Sequence, residues 1–288
     1  MRQIKYFLQF IIIFFLFIVF KLLGIKISLL ISSFLFKNIG PFFKSRSVTI
    51  SNLSIVFPRL SEEQKKQIIN KMWSNYGKVF AEYVFIKKFR TSSKYQKKIT
   101  VENQELLEKI KTQNKPVIFI SGHFNNFELM AMHIEKSGIN LAAIYRPLNN
   151  RFLNPIMEKI RKNYICKKQI KKGISGTKQL LKEFKNGTSI ALMIDQRVSE
   201  GLKSNLFNRE ALTTTIPAQF VKKYGASVVP IYIERSIDNN FKLKVLNEER
   251  FSKDETIEKI TLKLNKILEK MIVTNPHQWI WTHNRWKI

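Results

Sequence analysis

The chain has 288 residues, 44% of them hydrophobic, which is enough for one sizeable α/β domain plus a membrane segment and excludes a disordered protein. Its formal net charge of +29 attracts anionic partners, and nucleic acid, an anionic membrane surface, or an acidic protein or phosphorylated substrate would all fit. The single cysteine, Cys166, excludes an intrachain disulfide, and we expect a buried free thiol there.

The N-terminal segment is strongly apolar. Residues 7–25 approach the roughly 20 apolar residues that a membrane-spanning helix needs. A signal peptide is the alternative because Arg2 and Lys5 precede the apolar run, but no small-residue cleavage site follows it, which favours an uncleaved anchor. Residues 27–36 are too short to span and are expected in the membrane interface. We therefore divide the chain into an anchor and interfacial segment, residues 1–38, and a main domain, residues 39–288.

Positive charge is unevenly distributed around this anchor. Arg2 and Lys5 precede it, whereas more basic residues follow, namely Lys21, Lys26, Lys37, Lys44 and Arg46. The positive-inside bias predicts that the main domain lies on the cytoplasmic side of the membrane.

The first helix of the main domain is predicted from a capping pattern. Ser61 and Gln64 form the ends of a capping box, after which apolar and aromatic residues recur at helical spacing. The basic stretch at residues 87–98 is predicted to be a loop.

From residue 116 onwards, short apolar runs alternate with helical patterns. The predicted strands are residues 117–120, 141–145, 189–194, 227–233 and 241–245. The predicted helices are residues 126–136, 152–163, 175–185, 215–224 and a long one that includes 257–271. This alternation predicts an α/β fold in which a central mixed sheet is flanked by helices.

The strongest candidate site lies where the first of these strands ends and a helix begins. His123 and Glu128 are five residues apart, and on one straight helix that spacing would splay them by roughly 140°. They can meet if His123 lies on the preceding turn. Glu128 would then accept a hydrogen bond from one ring nitrogen and leave the other as a general base. The alternative is a structural histidine with a surface glutamate.

Three further residues follow strands at the same expected edge of the sheet. Arg146 could hold a phosphate or carboxylate with two hydrogen bonds, or form a surface ion pair. Asp195 and Gln196 end another strand, where Asp195 could bind substrate or serve as a helix cap. The four histidines lack metal-ligand spacing and no phosphate-binding glycine loop is present, so we expect neither a metal nor a nucleotide cofactor.

Several motifs together resemble a known family. His123 followed by Glu128 resembles the H-x4-[D/E] signature of the glycerolipid acyltransferase superfamily, and the fuller string resembles its lipid A late-acyltransferase branch, the lauroyl and myristoyl transferases. Further matches in the right order are Asn52-Leu53 with Phe57-Pro58, Tyr145-Arg146-Pro147, Asn154-Pro155, Asp195-Gln196, residues 207–215 and the closing residues 278–287. The chain departs from the family pattern at Asn208, where glycine is usual, and at Asn284, which replaces a basic residue.

The resemblance implies a function for the main domain. It implies transfer of a fatty acyl group from acyl-carrier protein to a hydroxyl of a phosphorylated glycolipid, a lipid A precursor of the Kdo-lipid IVA type, in lipopolysaccharide biosynthesis. His123 would be the general base oriented by Glu128, and Arg146, Asp195 and Gln196 would bind substrate. No cofactor is implied, and the enzyme would work at the bacterial inner membrane in contact with membrane lipids.

Two alternatives to this function stay open at the level of sequence. One is an acyltransferase that acts on another glycolipid or on a lysophospholipid. The other is a membrane-tethered nucleic-acid-binding protein, which only the net charge favours, because the chain has no recognisable nucleic-acid-binding motif.

Overall fold

The structure, a computed structural model, describes residues 1–43 and 46–287. Among these residues a seven-stranded sheet has the order β1-β9-β8-β2-β5-β3-β4, and β6 and β7 form a separate hairpin. The strands are β1 Ile99–Glu102, β2 Ile118–Ser121, β3 Leu141–Tyr145, β4 Lys168–Lys171, β5 Ser189–Met193, β6 Leu202–Leu206, β7 Arg209–Thr213, β8 Val228–Arg235 and β9 Phe241–Val245.

Helices precede, connect and flank these strands. The α-helices are α1 Arg2–Phe43, α2 Arg46–Val56, α3 Glu62–Glu82, α4 Ile86–Thr91, α5 Ser93–Gln96, α6 Gln104–Gln113, α7 Glu128–Lys136, α8 Asn154–Ile160, α9 Ile174–Lys185, α10 Ile216–Tyr224 and α11 Ile257–Thr274. A 3-10 turn at Tyr83–Phe85 follows α3, a π-helical turn at Arg161–Ile165 follows α8, and a 3-10 turn at Pro276–Gln278 follows α11.

The sheet is mixed, as the sequence predicted. Only the β8–β9 pair within it is antiparallel, while β2, β5 and β3 lie side by side in parallel. Alternate residues of β2 point to opposite faces, so Ile118 and Ile120 join one hydrophobic core and Phe119 joins the other. Burial of both faces explains why the central strands are continuous apolar runs rather than alternating ones. The predicted α/β sheet flanked by helices is confirmed.

Helix α1 is broken at Gly24, whose φ of 76° and ψ of 167° are not helical. The Ser28 hydroxyl lies 2.9 Å from the carbonyl oxygen of Phe20 and 2.7 Å from that of Gly24, so it donates to carbonyls at the break. The part of the helix before Gly24 is mostly exposed and apolar. By length and composition the helix could cross a membrane, and it fits a membrane anchor.

The part of α1 after Gly24 packs closely against α3. The Ser32 hydroxyl donates to the carbonyl oxygen of Gly77 at 2.6 Å. A Cβ atom on Gly77 would lie 2.2 Å from the backbone carbonyl oxygen of Ser32. On the opposite side of the helix, Leu30 and Phe34 stay exposed. The second apolar stretch of the sequence therefore has one face on protein and one face free for lipid.

Several local predictions can be compared directly with the fold. The Ser61–Gln64 capping box is confirmed by both of its hydrogen bonds, and the Cys166 thiol is buried and free, with burial raising its pKa to about 12. The predicted loop at residues 87–98 is wrong, because most of it lies in α4 and α5. Phe89 and Tyr95 are buried there, and their packing fixes two helical turns within a stretch whose other side chains are largely basic.

Candidate active site

His123 lies in the turn that joins the end of β2 to the start of α7. The preceding residue is glycine for a steric reason, because a Cβ atom on Gly122 would lie 2.9 Å from the Phe124 ring and 3.2 Å from Asp195. Asn125 adopts a φ of 45° later in the same turn, a conformation that asparagine tolerates better than most residues. The turn is thus shaped to bring the His123 backbone against Asp195.

Asp195 is the hydrogen-bond partner of His123. The Nδ1 atom of His123 lies 2.8 Å from Oδ1 of Asp195, and the His123 backbone N–H donates to Oδ2 at 2.7 Å. The indole N–H of Trp279 also donates to Oδ2, at 2.8 Å. Because a carboxylate accepts hydrogen bonds, this contact places a proton on Nδ1 and leaves Nε2 as the basic nitrogen of a neutral ring.

The electrostatics of the pair favour the charged form of each partner. Burial opposes protonation of His123, but the charge of Asp195 and its hydrogen bond outweigh burial, so the pKa of His123 lies above its ordinary 6.5. Burial likewise opposes ionisation of Asp195, but the His123 charge and the donated hydrogen bonds hold its pKa below its ordinary 3.8. The site can therefore stabilise a proton on His123 while Asp195 stays ionised.

Glu128 does not contact His123 in the way the sequence suggested. Its Oε1 atom accepts hydrogen bonds from Arg161, at 2.8 Å from Nε and 2.6 Å from Nη2, and from the hydroxyl of Tyr83. Within the described residues no hydrogen bond joins Glu128 to His123. Glu128 is the first residue of α7, whereas Asp195 follows the adjacent strand β5 and is the residue that contacts the His123 ring. The negative charge of Glu128 still contributes to the raised pKa of His123.

A cavity of about 570 Å³ opens beside His123 and has an apolar part that lies between the sheet and α7. Phe119, Ala191 and Ala143 are in register on β2, β5 and β3 and line it from the sheet side. Ala131 and Ile134 of α7 line it from the other side. Two alanines on neighbouring central strands leave an apolar slot that suits a hydrocarbon chain.

The other part of the cavity lies at the carboxyl ends of the strands and is polar. It is lined by Arg146, Lys172, Gln196, Thr214 and His283. Arg146 and Lys172 are exposed, and the described part of the chain offers neither of them an ion-pair partner. This edge can receive an anionic group close to His123.

The structure brings together the five residues that the sequence selected, and four of them line the cavity. His123, Glu128, Arg146 and Gln196 all line the cavity. Asp195 is only 2% exposed, and its two oxygens are occupied by protein donors. Asp195 lies against His123, and its contact with substrate stays a prediction.

Sequence reasoning missed Arg161 and Tyr83. They lie 33 and 45 residues from Glu128 along the chain, and neither belongs to a motif that we identified. The charge of Glu128 raises the pKa of Arg161 despite its burial, and burial together with the same charge raises the pKa of Tyr83. Arg161 lines the same cavity as His123 and carries a permanent positive charge.

A buried polar network supports the turn between His123 and Glu128. Arg235 and Glu82 form an ion pair with two hydrogen bonds, one of them 2.9 Å long, and their side chains are only 4% and 1% exposed. Glu82 also accepts from the Asn126 amide at 3.0 Å, and Arg235 lies 3.3 Å from the Asn125 oxygen. This network ties the turn to α3 and β8.

Comparisons with known proteins show the family of this chain. A relative from Escherichia coli (strain K12), the lipid A biosynthesis palmitoleoyltransferase, is 26% identical over 255 residues, which cover 86% of this chain and 80% of the relative. The lipid A biosynthesis lauroyltransferase of the same organism is 24% identical over 259 residues, covering 85% of this chain and 80% of the relative. Its lipid A biosynthesis myristoyltransferase is 22% identical over 245 residues, covering 82% and 73%. The family model described as bacterial lipid A biosynthesis acyltransferase matches residues 1–288, so this chain belongs to that family.

Proposed function

We propose that the protein transfers a fatty acyl group from acyl-carrier protein to a hydroxyl of a phosphorylated lipid A precursor of the Kdo-lipid IVA type, as an O-acyltransferase of lipopolysaccharide biosynthesis. It would act at the cytoplasmic face of the bacterial inner membrane. The observation that carries the proposal is the His123–Asp195 pair at the opening of an apolar slot. A base beside a hydrocarbon site is what acyl transfer to a hydroxyl requires.

The pair supports a simple sequence of steps. Nε2 of His123 takes the proton of the acceptor hydroxyl as its oxygen attacks the thioester carbonyl. A C–O bond forms, the C–S bond breaks, and the departing sulfur takes the proton from the imidazolium. Asp195 keeps the ring in the required tautomer and stabilises the imidazolium between these steps.

Arg161 is placed to stabilise negative charge on the carbonyl oxygen. Its guanidinium lines the cavity and is held by Glu128 through two hydrogen bonds to one oxygen. A fixed cation in a site that excludes most water stabilises an oxyanion far more than it would in bulk water. In this account Glu128 acts mainly by holding Arg161.

The two parts of the cavity suit the two substrates. The slot between Ala143, Ala191 and α7 would hold the donor hydrocarbon, in agreement with the palmitoleoyl, lauroyl and myristoyl groups in the names of the relatives. Arg146 and Lys172 would face a phosphate of the acceptor. The net charge of +29 also favours an acidic carrier protein.

The decisive test is product analysis with the full chain in detergent. Acyl-carrier donors of several chain lengths would be incubated with a tetra-acylated acceptor, and we expect a product heavier by one acyl group. His123→Ala should lower the rate about 10²–10⁴-fold. His133→Ala is a matched control, because His133 lies in α7 and does not line the cavity.

Parallel incubations address the alternatives. Transfer to a lysophospholipid or to a different glycolipid, with none to the lipid A precursor, would show that the acceptor is not the one we propose. DNA binding with a steep salt dependence and no acyl transfer would favour the nucleic-acid-binding alternative.

A further inference from the structure

The loop at residues 147–153 joins the active-site cavity to the N-terminal anchor. Its first part lines the cavity through Pro147, Leu148 and Asn149. Its last part contacts the first third of α1 through Asn150 and Phe152. The wall of the cavity and the membrane anchor are therefore connected by a few residues of chain.

Asn150 makes the central polar contacts of this connection. Its side-chain amide donates to the carbonyl oxygen of Tyr6 in α1 at 2.8 Å, and its side-chain oxygen accepts from the backbone N–H groups of Phe152 at 3.0 Å and Leu153 at 3.2 Å. Asn150 is only 7% exposed. One buried side chain thus holds the anchor on one side and the turn that leads into α8 on the other.

Aromatic rings extend the same contact. The Phe152 ring lies 5.5 Å from the ring of Phe7 and 6.1 Å from that of Phe10. Farther along the helix, the Phe17 ring lies 5.1 Å from that of Phe80 in α3. Phe10 and Phe17 are two helical turns apart, so the anchor bridges the loop and α3 over about 10 Å.

The anchor has one face toward protein and one toward solvent. Residues that are at least partly buried recur with the period of a helix, namely Tyr6, Gln9, Phe10, Ile13, Leu16, Phe17, Val19 and Phe20. The opposite face exposes large apolar side chains, namely Leu8, Ile11, Ile12, Phe15 and Ile18. This second face suits lipid hydrocarbon, and the loop beside it exposes Leu148 as well.

We propose that Asn150 is a positioning residue that fixes the cavity wall at residues 146–149 to the anchor, so that the acceptor lipid enters the active site from the bilayer beside this loop. The proposal rests on the proposed acyl transfer to a lipid acceptor. Because the loop touches the anchor through Asn150 and Phe152, it would lie beside the bilayer once the anchor is inserted. A lipid acceptor could then reach Arg146 while its acyl chains stay in hydrocarbon.

A single substitution separates the two roles of the side chain. In Asn150→Asp the carboxylate can still accept from Phe152 and Leu153, but it can no longer donate to Tyr6 and is repelled by that carbonyl. The matched control is Asn38→Asp, because the Asn38 amide donates to the carbonyl oxygen of Phe34 at 2.8 Å in the later part of α1. Both variants add one negative charge and remove one hydrogen bond to a backbone carbonyl oxygen of α1.

Initial rates of the full-length variants would be measured in phosphatidylcholine vesicles that contain the acceptor, and with the same acceptor dispersed in detergent. For Asn150→Asp we expect the KM for the vesicle acceptor to rise about tenfold, which corresponds to about 1.4 kcal/mol. The KM for detergent-dispersed acceptor, the KM for the acyl donor and kcat should each stay within about twofold. Asn38→Asp should leave all three KM values and kcat within about twofold of the wild-type values.

A second readout does not depend on activity. Arg151 is exposed, so trypsin can cleave after it when the loop leaves the anchor. In vesicles, cleavage should be about tenfold faster in Asn150→Asp than in the wild type or in Asn38→Asp. An unchanged cleavage rate in a folded Asn150→Asp protein would overturn the link, as would an equal rise of KM for both forms of the acceptor. A wild type that transfers no acyl group would refute the proposed function, while the cleavage rates would still decide the link.

Discussion

The Nδ1 atom of His123 lies 2.8 Å from Oδ1 of Asp195, although 72 residues separate them along the chain. The contact arises because β2 and β5 are neighbouring parallel strands whose carboxyl ends meet at one edge. His123 follows β2 and Asp195 follows β5. The order of the strands in the sheet therefore brings His123 and Asp195 together.

The pH dependence of the reaction should report this pair. A general base must be neutral, so the rate should fall as the pH drops through the pKa of His123, which Asp195 holds above 6.5. Asp195→Asn removes the negative charge, and the midpoint of the acid limb should move to lower pH while kcat falls about 10²–10⁴-fold. Rates measured across the pH range would show this, and an unmoved midpoint would exclude Asp195 as the partner.

Glu128→Gln should act mainly through Arg161. The substitution removes the anion that holds the guanidinium, so kcat should fall at least tenfold, while the acid limb moves less than in Asp195→Asn because Glu128 influences His123 only through its charge. Tyr83→Phe removes only a hydroxyl, so it should lower kcat by only a few-fold. If Glu128→Gln shifted the acid limb as far as Asp195→Asn does, our division of roles would be incorrect.

Ala191→Leu should shorten the preferred donor. A larger side chain on β5 would fill part of the slot beside Phe119 and Ala143, so longer acyl chains should lose kcat/KM relative to shorter ones. Competition between donors of several lengths would be followed by product mass, with a melting curve to check folding. An unchanged preference in a folded protein would place the donor chain elsewhere.

Arg146→Ala should weaken acceptor use. The side chain is exposed at the polar part of the cavity, and its loss should raise the acceptor KM about tenfold without lowering the melting temperature. Arg209→Ala is a useful control because Arg209 is exposed in the hairpin and does not line the cavity. A loss of activity that merely follows the loss of folded protein would indicate a structural role.

Glu82→Ala should strongly destabilise the fold. It leaves Arg235 buried without its anionic partner, a change that typically costs about 3–5 kcal/mol. Glu210→Ala breaks an exposed pair with Lys203, whose side chains are 55% and 58% exposed, and should cost less than about 1 kcal/mol. Thermal melting in detergent would compare them, and similar melting temperatures would contradict this account.

Local patterns in the sequence predicted much of the fold. The β3 and β9 strands begin and end at the predicted residues, and the capping box at Ser61 forms as expected. Such features depend on neighbours in the chain, which the sequence displays directly. The short strands β1 and β4 and the hairpin β6–β7 were not predicted, because their pairing partners, rather than their own patterns, make them strands.

The local sequence was enough to predict which turn carries the candidate base and that an apolar helix precedes the domain. Three contacts become visible only in the folded chain: Asp195 rather than Glu128 is hydrogen-bonded to His123, Glu128 binds Arg161, and Asn150 binds the anchor. Each of these contacts joins residues distant in the chain. Their geometry depends on strand order and helix packing, which cannot be inferred from the spacing of residues along the chain.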